Sequence, residues 1–554
     1  QLFKVMQKLI KFFKKNIYIL VALLVVIPSF YRMLQPGIFS TQDFHLFRLI
    51  EFDKCIKDFQ FPCRWVADAG FGYGEPLFNF YGQLSYFLGE IFHLLGVSLI
   101  GSVKLLFILS LVGSFVSMFF LAKRVWRSNL AAFVSGVLYI YAPYRALDVW
   151  VRGALPEALS FVLFPLVILF LDKFLDKERI KDGIVFSLFI AALVLTHNLS
   201  FILFLPVLIA WIIYRIVVSK KVYLIKHLFF YFLLSFLISS FYLLPVLFEA
   251  KYVTLATTIQ GYFDFRGHFA TLRQLLFSRF WGYGASVFGP EEFMSRAVGQ
   301  VQWILPLGIL IIVFVKKKLK QNKVFLLFLL TGWFSLFMTH NKSTFIWETI
   351  KPLAYVQFPW RFLAPALFSF ALSSGVLINL FKKRRLIATL AVGVLAIALN
   401  FSFFREDIWY QRKDEDILQG KVWQEQISSS LKDYWPIFGK VFPTSPAPEA
   451  LENQILIRRG SNYATYKVLP DSSKTVTFPI SFFPGWTAKV DGRKVTPYPS
   501  DDLGLVTVDI IESGIHNVDL YFSNTLVRGV GNIVSLASLI FAVYAFFRVK
   551  KYAK

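Results

Sequence analysis

A polytopic α-helical membrane protein of about twelve transmembrane helices, with a C-terminal extracytoplasmic β-sandwich, is the fold class predicted by three observations. The composition is too apolar for a soluble core: 56% of the 554 residues are hydrophobic, 64 are Phe, and the mean hydropathy is +0.58. Lysines and arginines gather in short clusters between apolar runs, where orientation signals belong. Beyond about residue 405 the apolar runs give way to period-two alternation. In a soluble protein the net charge of +25 would point to nucleic acid. Clustered as it is here, it points to the membrane, and no nucleic-acid partner is expected.

In order along the chain, Lys4, Lys8, Lys11, Lys14 and Lys15 precede an apolar run at roughly Ile17 to Tyr31, which puts the N-terminus in the cytoplasm. No small-residue cleavage site follows, so this run is expected to stay as a helix. Residues 36–102 then form a first external loop. A second span, about Val103 to Leu121, returns to Lys123, Arg124 and Arg127. A third, roughly Leu130 to Ala142, exits into an external loop, YAPYRALDVWVRGALPEA, and a fourth, about Leu159 to Leu171, ends at Lys173, Lys177, Arg179 and Lys181. The fifth and sixth meet at Thr196, His197 and Asn198, and Arg215, Lys220, Lys221 and Lys226 mark the inside again. A seventh, His227 to Leu247, opens a second external region at 248–301. The eighth enters KKKLKQNK, the ninth leaves to HNKSTFIWETIKPLAYVQFPWRF, the tenth reaches Lys382 to Arg385, and the eleventh, Leu386 to Phe404, leads out.

From 405 to 525 the runs ILIRR, YATYKVL, TVTFPISFF, TAKVDG, LVTVDII and HNVDLYF alternate, with turn chemistry at Asp491-Gly492 and Ser513-Gly514. They read as an external β-sandwich. A twelfth span, about Val527 to Phe547, ends at RVKKYAK inside, so 526–554 is the last helix and a cytoplasmic tail, and 1–404 is the main transmembrane domain. In the first external loop, Phe44, Phe47, Leu49, Phe52, Ile56 and Phe59 fall mostly at helical spacing, which predicts a helix lying along the bilayer. The glycines of GFGYGEP break regular structure and permit close backbone approach; they match neither a dinucleotide fingerprint nor a phosphate loop. Cys55 and Cys63, both external, either pair or stay as buried thiols, and their spacing does not decide.

The ordered motifs QDFHLFRL, FPCRWVADAGFGYGEPLFNFYG, YAPYRALDVWVRGALPEALS, LTHNLS and VQFPWRFL resemble the polytopic membrane proteins labelled 6-pyruvoyl-tetrahydropterin synthase-related. These are placed with the C-type membrane glycosyltransferases (GT-C), alongside the YfhO-like proteins. The resemblance implies a GT-C-type multi-pass enzyme of the plasma membrane, with both termini cytoplasmic and an extracytoplasmic active site. Such an enzyme would take a sugar from a polyprenyl-phosphate donor and pass it to a glycan, lipid or cell-surface polymer, with membrane lipids around it. In GT-C enzymes an Asp just beyond the first span is expected to act on the acceptor. Asp43 holds that place, where a carboxylate can take the acceptor hydroxyl proton. The lipid phosphate calls for cations, and Arg48, Arg64, Arg145, Arg152 and Arg361 are the candidates.

Each candidate has a plainer reading beside the functional one. Asp43 could serve only the helix macrodipole. His45 is either a polar contact to substrate, the reading preferred here, or a metal ligand with Asp43 if a divalent ion is used. Arg48, Arg64 and Glu75 are polar groups placed at the membrane surface by the same loop. Asp148, Arg152 and Glu157 are substrate contacts or a structural ion-pair set, Asp148 and Arg152 standing at i, i+4. His197 and Asn198 line the site or cap a tight turn. Arg361 holds phosphate or snorkels to headgroups, and Glu249 contacts substrate or ends its helix in solvent. Trp486 and Tyr498 are offered as exposed aromatics for a glycan acceptor. The alternatives from other classes are a transporter or lipid flippase, and a noncatalytic glycan- or lipid-binding membrane scaffold.

Overall fold

The structure, a computed structural model, describes residues 17–548 apart from 18, 19, 22, 40–42, 382, 429–431 and 471–473. In chain order its principal helices are α1 (Asp43–Lys57), α2 (Leu84–Leu94), α3 (Leu99–Trp126), α4 (Asn129–Ile140), α5 (Leu155–Lys177), α6 (Ile180–Thr196), α7 (Asn198–Ser219), α8 (Leu224–Ile238), α9 (Ser240–Phe248), α10 (Gln300–Val315), α11 (Lys323–Met338), α12 (Leu363–Ser374), α13 (Arg385–Asn400), α14 (Gly420–Ser428) and α15 (Leu526–Arg548).

Among the described residues six helical stretches are long and apolar enough to cross a membrane: α3, α5, α7, Pro359–Leu380 around α12, Arg385–Phe403 around α13, and α15. The number rises to eight if each of two bent pairs is one span. Twelve spans were expected, and the difference lies in helix length. Helices α6, α10 and α11 have 17, 16 and 16 residues. At 1.5 Å per residue they reach about 24–26 Å, short of a hydrocarbon layer of roughly 30 Å. The first apolar run falls partly outside the described residues. In the bent pairs, Asn129–Ile140 continues as Pro143–Val151 at 55°, and α8 continues as α9 at 78°. At the second bend the hydroxyls of Ser235, Ser239 and Ser240 each donate to the carbonyl four residues back, a pattern that bends helices.

Two sequence expectations about the first half of the chain are corrected. Helix α1 does not lie along a bilayer; it is buried on nearly every side. Its apolar residues Leu49 and Phe52 join the main core, while Phe47 packs against Trp423 of α14 at 5.7 Å between ring centroids. Its polar face is covered as well, with Lys54 Nζ on Glu51 (2.8 Å) and on Asp68, and over the Trp423 ring. An amphipathic pattern cannot distinguish a lipid surface from a later segment of the same chain. Likewise the expected loop after residue 142 is helical and buried. Pro143 starts a new helix, which runs into a π-helical turn at Leu147–Val151 with no exposed side chain.

The C-terminal part holds two antiparallel sheets. The strands are β1 (Ile38–Phe39), β2 (Trp409–Tyr410), β3 (Gln454–Arg459), β4 (Tyr463–Val468), β5 (Thr475–Ser481), β6 (Trp486–Val490), β7 (Arg493–Val495), β8 (Tyr498–Ser500), β9 (Leu505–Asp509) and β10 (His516–Phe522). One sheet runs β3-β4-β10-β6-β7, the other β5-β9-β8, and β1 pairs with β2. In the five-stranded sheet Val518 of β10 lies opposite Tyr466 on one side and Val490 on the other. Alternate residues from both sheets, among them Tyr466, Leu520, Phe478 and Val508, share one apolar cluster.

Trp486 belongs to that cluster and is not the exposed aromatic expected from the sequence. Its ring packs on Trp65 at 5.3 Å and on Phe522 at 5.4 Å. Tyr498 is at the surface, its hydroxyl donating to Asp509 Oδ1 at 2.7 Å. Trp65 thus joins the first long loop to the sheets. Gly74, at φ +83°, lets the backbone pass beneath it, since a Cβ there would come within 2.6 Å of the indole nitrogen. Cys55 and Cys63 form a disulfide, with Cα atoms 5.9 Å apart, that closes the turn between α1 and this loop.

Candidate active site

Pro143 and the π-helical turn decide where the charges go. The break after Ala142 tilts residues 143–151 across the end of α5, so that Tyr144, Arg145, Asp148 and Arg152 recur at helical spacing opposite Glu157. Arg152 Nη1 donates to Asp148 Oδ1 at 2.7 Å and to Glu157 Oε2 at 2.9 Å. The Tyr144 hydroxyl donates to Glu157 Oε1. Arg361, from the turn that leads into α12, places Nε 3.8 Å from Glu157 Oε2, while its Nη1 donates to Val356 O at 2.8 Å. Arg145 lies beneath, with Nη1 3.6 Å from Asp148 Oδ2 and Nη2 donating to Ser110 Oγ at 3.0 Å. His197 sits between α6 and α7, hydrogen-bonded to Ser200 and within electrostatic reach of Glu157 and Arg361.

Three guanidiniums therefore face two carboxylates, and the excess is cationic. Within the set, Arg145 Nε and Nη1, Asp148 Oδ2 and Arg361 Nε have no hydrogen-bond partner. Burial divides the members. Arg145 and Asp148 are wholly enclosed, whereas the side chains of Arg152 and Arg361 keep 14% and 11% of their surface open. Arg152 also stacks over Trp360 at 4.5 Å. The two partly open arginines can meet an anion; the two enclosed groups can only support them.

A second group reaches this one through Gly153. His45 Nε2 lies 2.5 Å from Gly153 O and Nδ1 lies 2.9 Å from the Tyr86 hydroxyl, while Arg48 Nη1 donates to that hydroxyl at 3.3 Å. The contacts are consistent when Arg48 donates to Tyr86, Tyr86 donates to Nδ1, and Nε2 carries the proton given to Gly153 O; the Leu155 N–H, 3.3 Å from Nε2, then donates to Gly153 O at 2.9 Å. Burial, with Arg48 beside it, lowers the His45 pKa to about 3 and keeps the ring neutral. Arg48 is sandwiched between Phe44 (3.7 Å) and Tyr81 (3.8 Å). Gly82, next to Tyr81, packs against the backbone of Thr196, which brings the first loop to the His197 turn.

Of the residues expected from the sequence, His45, Arg48, Asp148, Arg152, Glu157, His197 and Arg361 are thus brought together. Asn198 opens α7 beside His197, half-buried. Asp43 begins α1, two residues before His45, and its side chain lies outside the described residues. Glu75 is buried near Arg48, and burial raises its pKa to about 8.

Arg64 is corrected: it belongs elsewhere. Its guanidinium donates to Asn79 Oδ1 (3.0 Å), Phe241 O (3.0 Å) and Asn532 Oδ1 (2.7 Å), joining the first loop to α9 and α15. Glu249 is corrected too, since it pairs with Arg528 at 2.8 Å instead of ending in solvent. His45 does not fit a metal, because both ring nitrogens are engaged, and no group of three His, Cys, Asp or Glu suited to a metal occurs among the described residues. Tyr81, Tyr86, Tyr144 and Trp360 were missed by the sequence reading. Aromatics in a Phe-rich membrane chain read as core or interfacial belt, and no spacing singles out those that bind a guanidinium or a carboxylate.

Residues 78–405, more than half of the chain, match the family described as the 6-pyruvoyl-tetrahydropterin synthase related domain, a membrane protein. The chain belongs to that family. No curated protein matches it. As a 6-pyruvoyl-tetrahydropterin synthase related membrane protein it is multi-pass, with a C-terminal β-sheet region beyond the matched part. The family region contains Tyr81, Tyr86, Tyr144, Asp148, Arg152, Glu157, His197 and Arg361; α1, with Asp43, His45 and Arg48, precedes it.

Proposed function

We propose that the protein is a GT-C-type glycosyltransferase that moves a sugar from a polyprenyl-phosphate donor to an acceptor on the extracytoplasmic side, with both termini in the cytoplasm. The observation that carries this reading is the cationic excess of the Arg152–Glu157–Arg361 cluster, whose two partly open guanidiniums lie at one end of the helical bundle. At the opposite end of α5, Asp172 lies between Arg124 and Arg215 and Asp176 also meets Arg124, so two guanidiniums face two carboxylates there and no cationic excess remains.

In the reaction the acceptor oxygen attacks the anomeric carbon and the bond from that carbon to the phosphate oxygen breaks. Asp43 takes the acceptor proton. Arg152 and Arg361 neutralise the charge that grows on the departing phosphate, using fixed forks suited to paired oxygens. Glu157 and Asp148 hold Arg152, and His45, through Gly153 O, fixes the loop that carries it. The two sheets, read as a β-sandwich on the outer side, would position a glycan, lipid or polymer acceptor, with Tyr498 rather than Trp486 presented to it.

Purified protein in lipid nanodiscs, given labelled polyprenyl-phosphate sugars, tests the reading. Wild type is expected to release polyprenyl phosphate and label an acceptor, and Asp43→Asn to lose that turnover. Equal turnover by the variant removes Asp43 from the mechanism, and no transfer from any such donor by folded wild type overturns the glycosyltransferase reading.

A further inference from the structure

A cavity of about 370 Å³ lies apart from the Arg152–Arg361 cluster, where the loop after α1 meets the end of β10. Its polar lining comes from Gln60, Arg64, Asn462, Ser523 and Asn524, and Phe59 and Phe61 form its lip. Arg64 is 2% exposed, yet every acceptor it reaches is neutral: an Asn79 oxygen, the Phe241 carbonyl and an Asn532 oxygen. Its Nε has no partner. The carboxylate that acts on it electrostatically, Glu249, is committed to Arg528 at 2.8 Å and to the Thr525 hydroxyl at 2.5 Å. Two buried guanidiniums thus share one carboxylate, and burial, with Arg528 nearby, lowers the Arg64 pKa to about 9. A buried cation without a counter-charge is costly, and a neighbouring polar cavity is where an anion relieves it.

The surroundings place this cavity at the boundary between hydrocarbon and water. Asn524 stands two residues before α15, a membrane-crossing helix whose first residue, Leu526, is exposed. Phe59 and Phe61 are 93% and 70% exposed, and the Phe61 ring lies 6.4 Å from that of Phe87, itself exposed. Phe248, also exposed, adjoins Glu249. Exposed phenylalanines grouped at one end of a crossing helix form an apolar patch suited to lipid contact.

We infer that this cavity binds a phosphate anion, with Arg64 as its cation, the amides of Asn462 and Asn524 and the Ser523 hydroxyl as donors, and the two phenylalanines against acyl chains when the phosphate belongs to a lipid. The site is independent of the proposed transfer reaction.

Full-length protein in detergent, delipidated and then offered phosphatidylglycerol or phosphatidylcholine, or inorganic phosphate alone, is read by native mass spectrometry and by its thermal midpoint. One phosphatidylglycerol per chain is expected to be retained in preference to the zwitterionic lipid. Asn462→Asp, which adds a like charge while leaving the Arg64 hydrogen bonds intact, is expected to cut retention about tenfold or more. Arg64→Lys is expected to keep part of it. Equal stabilisation by inorganic phosphate and by lipid, lost in Asn462→Asp, supports the anion site and assigns it to a free phosphate. Anion binding that is unchanged in Asn462→Asp, or no binding by folded wild type on any arm, overturns the proposal.

Discussion

Arg361→Gln tests whether a partly open arginine serves the proposed transfer while an enclosed one holds the fold. Arg361 Nε stands 3.8 Å from Glu157 Oε2, where a unit-charge pair at an effective dielectric near 20 interacts by about 4 kcal/mol before desolvation is subtracted. Glu157 does not depend on that contact, because Arg152 and Tyr144 already satisfy it. What the folded protein loses is mainly the pair of hydrogen bonds to Val356 O and Gln357 Oε1, worth about 1–2 kcal/mol together. A phosphate in the transition state has no such substitute, and removing one oriented donor costs about 10²–10³ in rate, or roughly 3–4 kcal/mol. Arg361→Gln is therefore expected to fold with a slightly lower thermal midpoint and to lose about a hundredfold or more in single-turnover transfer from a labelled polyprenyl-phosphate sugar. Arg361→Lys keeps the charge without the fork and should fall between. Arg145→Gln should do the reverse: this arginine is fully enclosed against Asp148, so its loss costs about 3–5 kcal/mol of stability. If Arg361→Gln transfers at the wild-type rate, the open members of the cluster do not meet the phosphate.

Other predictions follow from the same geometry. The folded pKa of His45, about 3, lies below the usual 6.5, so its contribution is fully present above pH 6.5 and is lost as pH falls toward 3. Thermal midpoints in detergent between pH 7 and pH 5 should decline by the equivalent of about 1.4 kcal/mol per unit below 6.5, and His45→Gln should flatten that slope. An unchanged slope would remove His45 as its source. The Cys55–Cys63 disulfide closes a separation of 8 residues, which by loop-closure entropy contributes about 2.5 kcal/mol. Cys55→Ser/Cys63→Ser should lower the thermal midpoint, and added reductant should then have no further effect. Glu249→Gln leaves both Arg528 and Arg64 without a carboxylate, so a loss of about 3–5 kcal/mol is expected in denaturant or thermal unfolding. A variant as stable as wild type would show that the Arg528 pair does not join α9 to α15.

The helices were legible because a helix that crosses a membrane needs a long run of apolar residues, its backbone groups being satisfied within the segment. From Leu99 onward nearly every run read as a span is centred on a helix, and the alternating runs after Gln454 became strands. What could not be read was which polar residues lie under cover. The pattern of α1 suits a helix on a bilayer equally with one roofed by Trp423, and Trp423 lies 376 residues after Phe47, beyond any local periodicity. The same limit hid the stretch from Pro143 to Val151. Its arginine and aspartate suggest a solvated loop by composition, and only the tertiary set of Glu157, Arg361 and Ser110 makes burial of Arg145 and Asp148 tolerable. Five arginines looked equivalent in sequence, yet position divides them: Arg64 into the α9–α15 junction, Arg145 beneath the cluster, Arg48 between two aromatic rings, and Arg152 and Arg361 at its open edge. Charge at a helix end is common in membrane proteins. Charge that is buried, unbalanced and still partly open costs stability, and at the Arg152–Arg361 edge binding of an anionic lipid phosphate would recover that cost.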